Sequence, residues 1–362
     1  MIKTIQGLRG FSALLILLSH YSFFKRVTTI FPDNGVAKGQ NVLMWTGAMG
    51  VSIFIILSGF LTYIKFNDDY EIYNIKKRVL SQYKRFLPLH IITMILSVPL
   101  LIRVYMLKPI NTIIKLFFNI TMLQAWLPHV GIYYSFNAVS WYLCLVVFFA
   151  VMTPFMLRMI RGASRRGKYG ILMLIMSMVI LQGGIGVIAD KISKAETIGV
   201  AHWLSYIFPI TRLSDFFIGG GIGYIYFKKK NCKRENTFVF LCVLFVCCIN
   251  VLFSNMYKSE LFSSFVWTIP CAYVVYRFAL ANEDNTYLHS VFESKILQFL
   301  GSISFELFLL HQLVVRYILK IASKWVDDDA WYLYLVSLII SLVLSYITHE
   351  FLNWIRKKSD IY

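Results

Sequence analysis

Apolar runs of about twenty residues recur along nearly the whole chain. No other feature limits the possible folds so tightly, because a helix that crosses a bilayer needs ~20 predominantly apolar residues. Windows of this kind lie at approximately 6–24, 43–64, 89–107, 137–157, 169–189, 206–227, 237–254, 262–280, 296–319 and 332–354. They predict an all-α integral membrane protein, a bundle of about ten transmembrane helices. The stretch 111–127 is apolar but interrupted by Lys115 and Asn119, which suits a partly inserted or interfacial helix better than a further crossing. The longest connections are about 20 to 30 residues, too short for a soluble domain. Residues 1–362 therefore read as one transmembrane domain with no fused extracytoplasmic domain, and any chemistry belongs inside the bundle or at its mouths.

The charges test this reading. Only 15% of the chain is charged, against about 25% in soluble domains. A net charge of +18 could suit a nucleic-acid partner, but the Lys and Arg residues sit in short clusters between apolar runs, so no nucleic acid is expected. Alternate connections carry 22 and 10 of these cations. The richer set comprises the N-terminus, 65–88, 158–168, 228–234, Lys295 and the C-terminal RKK, which the positive-inside rule makes cytoplasmic. Both termini are then cytoplasmic, as an even number of spans requires. Lys3 and Arg9 precede an apolar core with no small-x-small cleavage site after it, so the first helix is read as retained.

Ionised side chains inside spans cost ~2.5 to 3.5 kcal/mol at the bilayer centre on insertion scales, and need a partner or a water-filled cavity. Arg9, Arg212, Asp215 and Glu306 raise that demand. Span directions put Arg9 near the cytoplasmic side and Glu306 mid-membrane. His20, Ser140, Trp141, Arg212, Asp215 and His311 fall in the outer half. Satisfied polar groups of helix packing are the alternative. In RGFSALLILLSH, eleven steps of about 100° return His20 to within roughly 20° of Arg9, about 16 Å along the axis.

Other polar signals are weaker. The segment 74–87 reads as a basic helix ending at Pro88, with Arg78 and Arg85 on one face. His90 and His349 lie at cytoplasmic span ends, and His129, His202 and His289 in loops; all five read as solvated or interfacial. GGGIG at 219–223 lies within a span and follows no strand, so Gly219 and Gly223 read as a close helix contact. Cys144, Cys232, Cys242, Cys247, Cys248 and Cys271 form no CxxC pair and no metal-ligand spacing with His; neither a metal site nor a disulfide framework is expected.

Six blocks in order, GLRGFSALLILLSH, GVSIFIILSGFL, KRFLPLH, SWYLCLVVFFAVMTP, PITRLSDFFIGGGIG and GSISFELFLLH, give the chain a resemblance to the acyltransferase 3 family of bacterial membrane proteins. The first block resembles the family's Arg-x10-His signature. The basic block departs from the family's two arginines three apart, since Gln82 stands at the upstream position and Arg78 one turn further back. In the fourth block CLVV stands where many members carry a Glu, and Cys144 replaces the usual Ser.

The resemblance implies an O-acetyltransferase of the cell envelope, multi-pass in the cytoplasmic membrane. It would move an acetyl group from cytoplasmic acetyl-CoA to a hydroxyl of a polysaccharide or lipid-linked glycan, with no metal and no tightly bound cofactor. In that reading His20 is the general base, an acyl-histidine being the variant. Arg9 holds the donor or polarises its thioester, Arg78 and Arg85 bind the coenzyme A phosphates or anionic membrane lipid, and Ser140, Trp141, Arg212, Asp215, Glu306 and His311 line the site. A flippase of lipid-linked sugar is the rival from another class, though 1–180 and 181–362 share no repeated motif. An acyltransferase acting on a small molecule is the narrower rival. The sequence leaves the oligomeric state open, a homodimer included.

Overall fold

The structure, a computed structural model, describes residues 2–20, 38–67, 73–167, 169–194, 198–229, 259–280, 287–322, 324–325 and 331–358. These form fourteen α-helices, with no strand among the described residues. They are α1 Lys3–Ser19, α2 Lys38–Phe66, α3 Ile75–Leu107, α4 Pro109–Ile120, α5 Val130–Tyr133, α6 Trp141–Ser164 and α7 Gly170–Lys194. The others are α8 Ile198–His202, α9 Pro209–Lys229, α10 Phe265–Leu280, α11 Tyr287–Phe292, α12 Lys295–Ser302, α13 Ser304–Ala322 and α14 Trp331–Lys358.

Six stretches among the described residues are long and apolar enough to cross a membrane: Thr46–Phe66, Ile75–Ile102, Ala138–Ser164, Gly170–Lys194, Glu260–Leu280 and Tyr332–Lys358. The pair α12 and α13 makes a seventh if it is one span, bent by 76°. That bend corrects the single window 296–319. The described part of α1 is 17 residues long. The window 237–254 lies outside the described residues. The exposed faces of the outer helices are apolar, with Leu172, Met173, Ile180, Ile339, Val343 and Ile347 all exposed, as a lipid-facing surface requires.

The basic segment does not end at Pro88. Asn74 caps α3 by accepting from the Lys77 amide at 2.9 Å, and the helix continues through Pro88 and Pro99 to Leu107, distorted only at Leu101. Within an apolar bundle, neighbouring groups can satisfy what a proline leaves unpaired. The stretch 111–127 yields α4, whose 12 residues rise only about 18 Å, too little to span.

At the centre, α2 and α9 run parallel in near-contact. A β-carbon on Gly59 would collide with the Phe216 carbonyl, and one on Gly219 with that of Ile56. This reciprocal approach is the packing expected of Gly219, and Gly223 extends it against Tyr63. Small residues allow it, and in lipid close packing replaces the hydrophobic drive. Around this spine, α6 stacks Phe149 on Phe216 at 4.5 Å, and Cys144 and Cys271 are buried as apolar fillers. The contacts give the bundle two ends. One holds Lys3, Phe66, Asn74 and the C-terminal ends of α6, α9 and α14; the other holds His20 and the N-terminal ends of α2, α6, α9 and α10.

Candidate active site

Helix α1 carries both ends of the site. Its last turn tightens, so the His20 amide donates to Leu17 and Leu18 rather than to Ile16. The Ile16 carbonyl is thereby released to side chains, as helix ends require. Ser19 Oγ donates to it at 2.6 Å, and His20 Nδ1 lies 2.9 Å from it. A carbonyl can only accept, so Nδ1 carries the hydrogen and the ring's lone pair is on Nε2. His311 repeats the pattern on α13, with Nδ1 2.9 Å from the Leu307 carbonyl. Its own lone pair therefore sits on Nε2, which lies 3.4 Å from His20 Nδ1. The two rings meet edge to face at 4.7 Å, so two residues assigned a common depth are in contact.

Arg212 and Asp215 also meet, as i and i+3 on α9, with Nη1 3.1 Å from Oδ2 and neither side chain exposed. Their alignment falls short of a hydrogen bond, so Coulomb attraction and outside partners hold them. Arg212 Nη2 donates to Ser52 Oγ at 3.0 Å, and Thr268 Oγ1 donates to Asp215 Oδ1 at 2.9 Å. The Arg212 guanidinium also lies 5.5 Å from the centre of the Tyr206 ring. Ser140 is buried and accepts from Gln124 Nε2 at 3.2 Å. Trp141, also buried, packs against Tyr206 at 5.0 Å.

Nearer the start of α1, Arg9 points back along the helix. Its guanidinium donates to Gln6 Oε1 and to Ser304 Oγ, both at 3.3 Å. The break between α12 and α13 presents Ser304 there. Arg85 and Glu306 are near enough for their charges to act on Arg9. Glu306 is buried on the first turn of α13 beside the Arg9–Ser304 contact, with Oε1 3.1 Å from His349 Nδ1. Its depth is that of Arg9 rather than the middle of a straight span, because the bend shortens the path to it. Arg78 lies over the Phe66 ring at 5.0 Å and Arg85 over Phe86 at 5.2 Å.

One histidine departs from its solvated or interfacial reading, and two others have partners. His90 is buried, with Nε2 3.0 Å from the Asn119 carbonyl. His349 pairs with Glu306, and His202 with Tyr134 and Glu260. His129 is exposed, and the His289 side chain lies outside the described residues. A cavity of about 510 Å³ beside α4, lined by Leu107, Lys108, Asn111, Ile114, Lys115, His129 and Ile132, includes none of the predicted site residues. Among the described residues no three His, Cys, Asp or Glu side chains are grouped to hold a metal ion.

A family profile described as an acyltransferase domain matches residues 2–350. The chain belongs to the acyltransferase 3 family. A relative, "Acyltransferase MdmB" of Streptomyces mycarofaciens, is 24% identical over 363 residues, covering 96% of this chain and 89% of its own. No solved structure matches. The chain is thus a membrane acyltransferase of this family by its matched length and its apolar helices.

Proposed function

We propose that this acyltransferase moves an acetyl group from cytoplasmic acetyl-CoA to a hydroxyl of a cell-surface or exported polysaccharide. It does so as a bundle of about ten spans in a bacterial cytoplasmic membrane, with both termini in the cytoplasm. The asymmetry of the bundle supports that orientation: Lys76, Lys77, Arg158, Arg161, Lys228 and the 356–358 run lie at the Arg9 end. The observation that carries the reading is the placement of Arg9 and His20 on one helix, each directed to its own end.

In this mechanism the acceptor hydroxyl gives its proton to His20 Nε2 as its oxygen attacks the thioester carbonyl carbon. The tetrahedral oxyanion collapses, the carbon–sulfur bond breaks, and the coenzyme A thiolate takes the proton from His20. General-base help of this kind contributes ~10²- to 10⁴-fold. His311 steadies the ring by packing edge to face against it. Arg9 lies about 16 Å from His20 along the axis and is turned away from it, so it holds the donor rather than polarising a carbonyl at His20. Arg85 adds charge beside it and Arg78 lies two turns back on α3; both suit the coenzyme A phosphates. Ser140, Trp141, Arg212, Asp215 and Glu306 shape the path between. The reaction as written requires neither a metal ion nor a tightly bound cofactor.

The test is purified protein in lipid nanodiscs with acetyl-CoA and the unacetylated envelope glycan. Release of free coenzyme A together with an acetyl ester on the glycan is the expected result. A flippase would move glycan and release none. His20→Ala that inserts normally and still acetylates would remove the base assignment.

A further inference from the structure

We propose that Tyr134, His202, Tyr206 and Glu260 form a subsite that holds a sugar ring of the acceptor; this rests on the acyl transfer to a glycan described above. Three chain connections converge there, at the end of the bundle that also holds His20: 130–140 before α6, 198–207 between α7 and α9, and 259–263 before α10. Tyr134 Oη lies 3.0 Å from His202 Nε2, and His202 Nδ1 lies 3.8 Å from Glu260 Oε2. The carboxylate is fixed from two sides, accepting from Ser205 Oγ at 2.6 Å and Ser263 Oγ at 2.8 Å.

Unlike the enclosed Arg212–Asp215 pair, these groups keep part of their surface. The His202 side chain is 32% exposed and that of Glu260 14%, while Tyr134 and Tyr206 are half-buried. The backbone is unusual at the same place. A turn of π-helix, Trp203–Ile207, follows His202 directly, and such widened turns occur frequently at functional sites. It carries Tyr206, whose ring lies 5.1 Å from that of His202.

A pyranose presents two faces of C–H bonds and a rim of hydroxyls. The half-buried rings of Tyr206 and Tyr134 offer aromatic surface to the first, and an immobilised carboxylate beside an imidazole and a phenol matches the second. Glu260 places a negative charge at the rim, which selects an uncharged ring over a uronic acid by like-charge repulsion. An aromatic wall then leads from this subsite to the proposed base. Tyr206 packs on Trp141 at 5.0 Å, Tyr142 on Phe308 at 5.3 Å, and Phe308 lies 6.3 Å from His311. Trp141 and Tyr142 complete it at 6.2 Å.

The experiment measures acetyl transfer by the full-length protein to oligosaccharides prepared from the unacetylated envelope glycan, varying each substrate in turn. Tyr206→Ala, His202→Gln and Glu260→Gln are expected to raise KM for the oligosaccharide about tenfold or more while KM for acetyl-CoA stays within about twofold. Tyr206→Phe, which keeps the ring, is expected to behave as the parent. Thermal melting confirms that each variant is folded. Folded variants with unchanged oligosaccharide KM overturn the proposal, as does a loss of folding in all three, which makes the cluster structural. Absence of any transfer by the parent protein overturns the underlying glycan reading instead.

Discussion

His311 sits edge-on against His20, its Nε2 3.4 Å from Nδ1 of the other ring. With Nδ1 of each ring at a carbonyl of its own helix, the single Nδ1 hydrogen of His20 goes to Ile16, its nearer partner, and the basic lone pair of His20 is on Nε2. His20→Ala is expected to lower kcat by ~10²- to 10⁴-fold. His311→Ala, which removes only the steadying contact, is expected to lower it less, and His311→Gln to restore part of the loss. Release of coenzyme A in the presence of glycan measures all three.

Arg9 and Arg85 predict a different kinetic signature. Both lie at the proposed donor end, so Arg9→Ala and Arg85→Ala are expected to raise KM for acetyl-CoA about tenfold or more each, with acceptor KM little changed. Arg9→Lys keeps the charge but loses the fork that reaches Gln6 and Ser304 together, so it recovers only part of the affinity. Titration of acetyl-CoA into detergent-solubilised protein checks this without turnover.

The seam between α2 and α9 has no room for a side chain. Gly219→Val is expected to destabilise the fold by several kcal/mol, more than the ~1 to 3 kcal/mol of ordinary overpacking, because the collision is with backbone. Gly162, with open space around it, is the control: Gly162→Ala should leave the melting temperature unchanged or raise it. Thermal melting in detergent compares the two.

Arg212 and Asp215 are fully enclosed. Asp215→Leu alone strands a buried guanidinium and is expected to cost ~3 to 5 kcal/mol, whereas Arg212→Met with Asp215→Leu together recovers most of it. If the double variant melts like the parent yet transfers no acetyl, the pair serves the reaction as well as the fold.

Much of this arrangement was legible in the chain because helical periodicity converts spacing into a face. Arg9 lies on α1 and His20 caps it, and glycines within an apolar run marked the α2–α9 contact. Depth alone brought His20 to His311, since both fall in outer halves of outward-running spans. What depth could not supply was azimuth between helices. Ser52, Thr268 and Gln182 surround the Arg212–Asp215 pair, yet a Ser, Thr or Gln in an apolar run carries no mark of the helix it faces. Glu306 was misplaced because the break at Ile303 has no proline to announce it, and its partner His349 was hidden by its position near a span end. Pro88 failed in the opposite sense: a local helix breaker was overruled by the packing around α3.

The clamping of α1 has a metric consequence. Gly7 lies against the Phe292 carbonyl, Gly10 against that of Leu297, and Gly301 against that of Gln6, while Gly50 of α2 abuts the Ser12 carbonyl from another side. Held in this way, α1 can neither slide nor tilt without opening backbone contacts with α2, α11 and α12, and the interval between Arg9 and His20 becomes a gauge. A donor is then measured by the length of its arm. On the proposed donor reading, a truncated thioester such as S-acetyl-N-acetylcysteamine would occupy one graduation of that gauge but not both, whereas a carrier with an anionic end and a long arm would reach from one to the other.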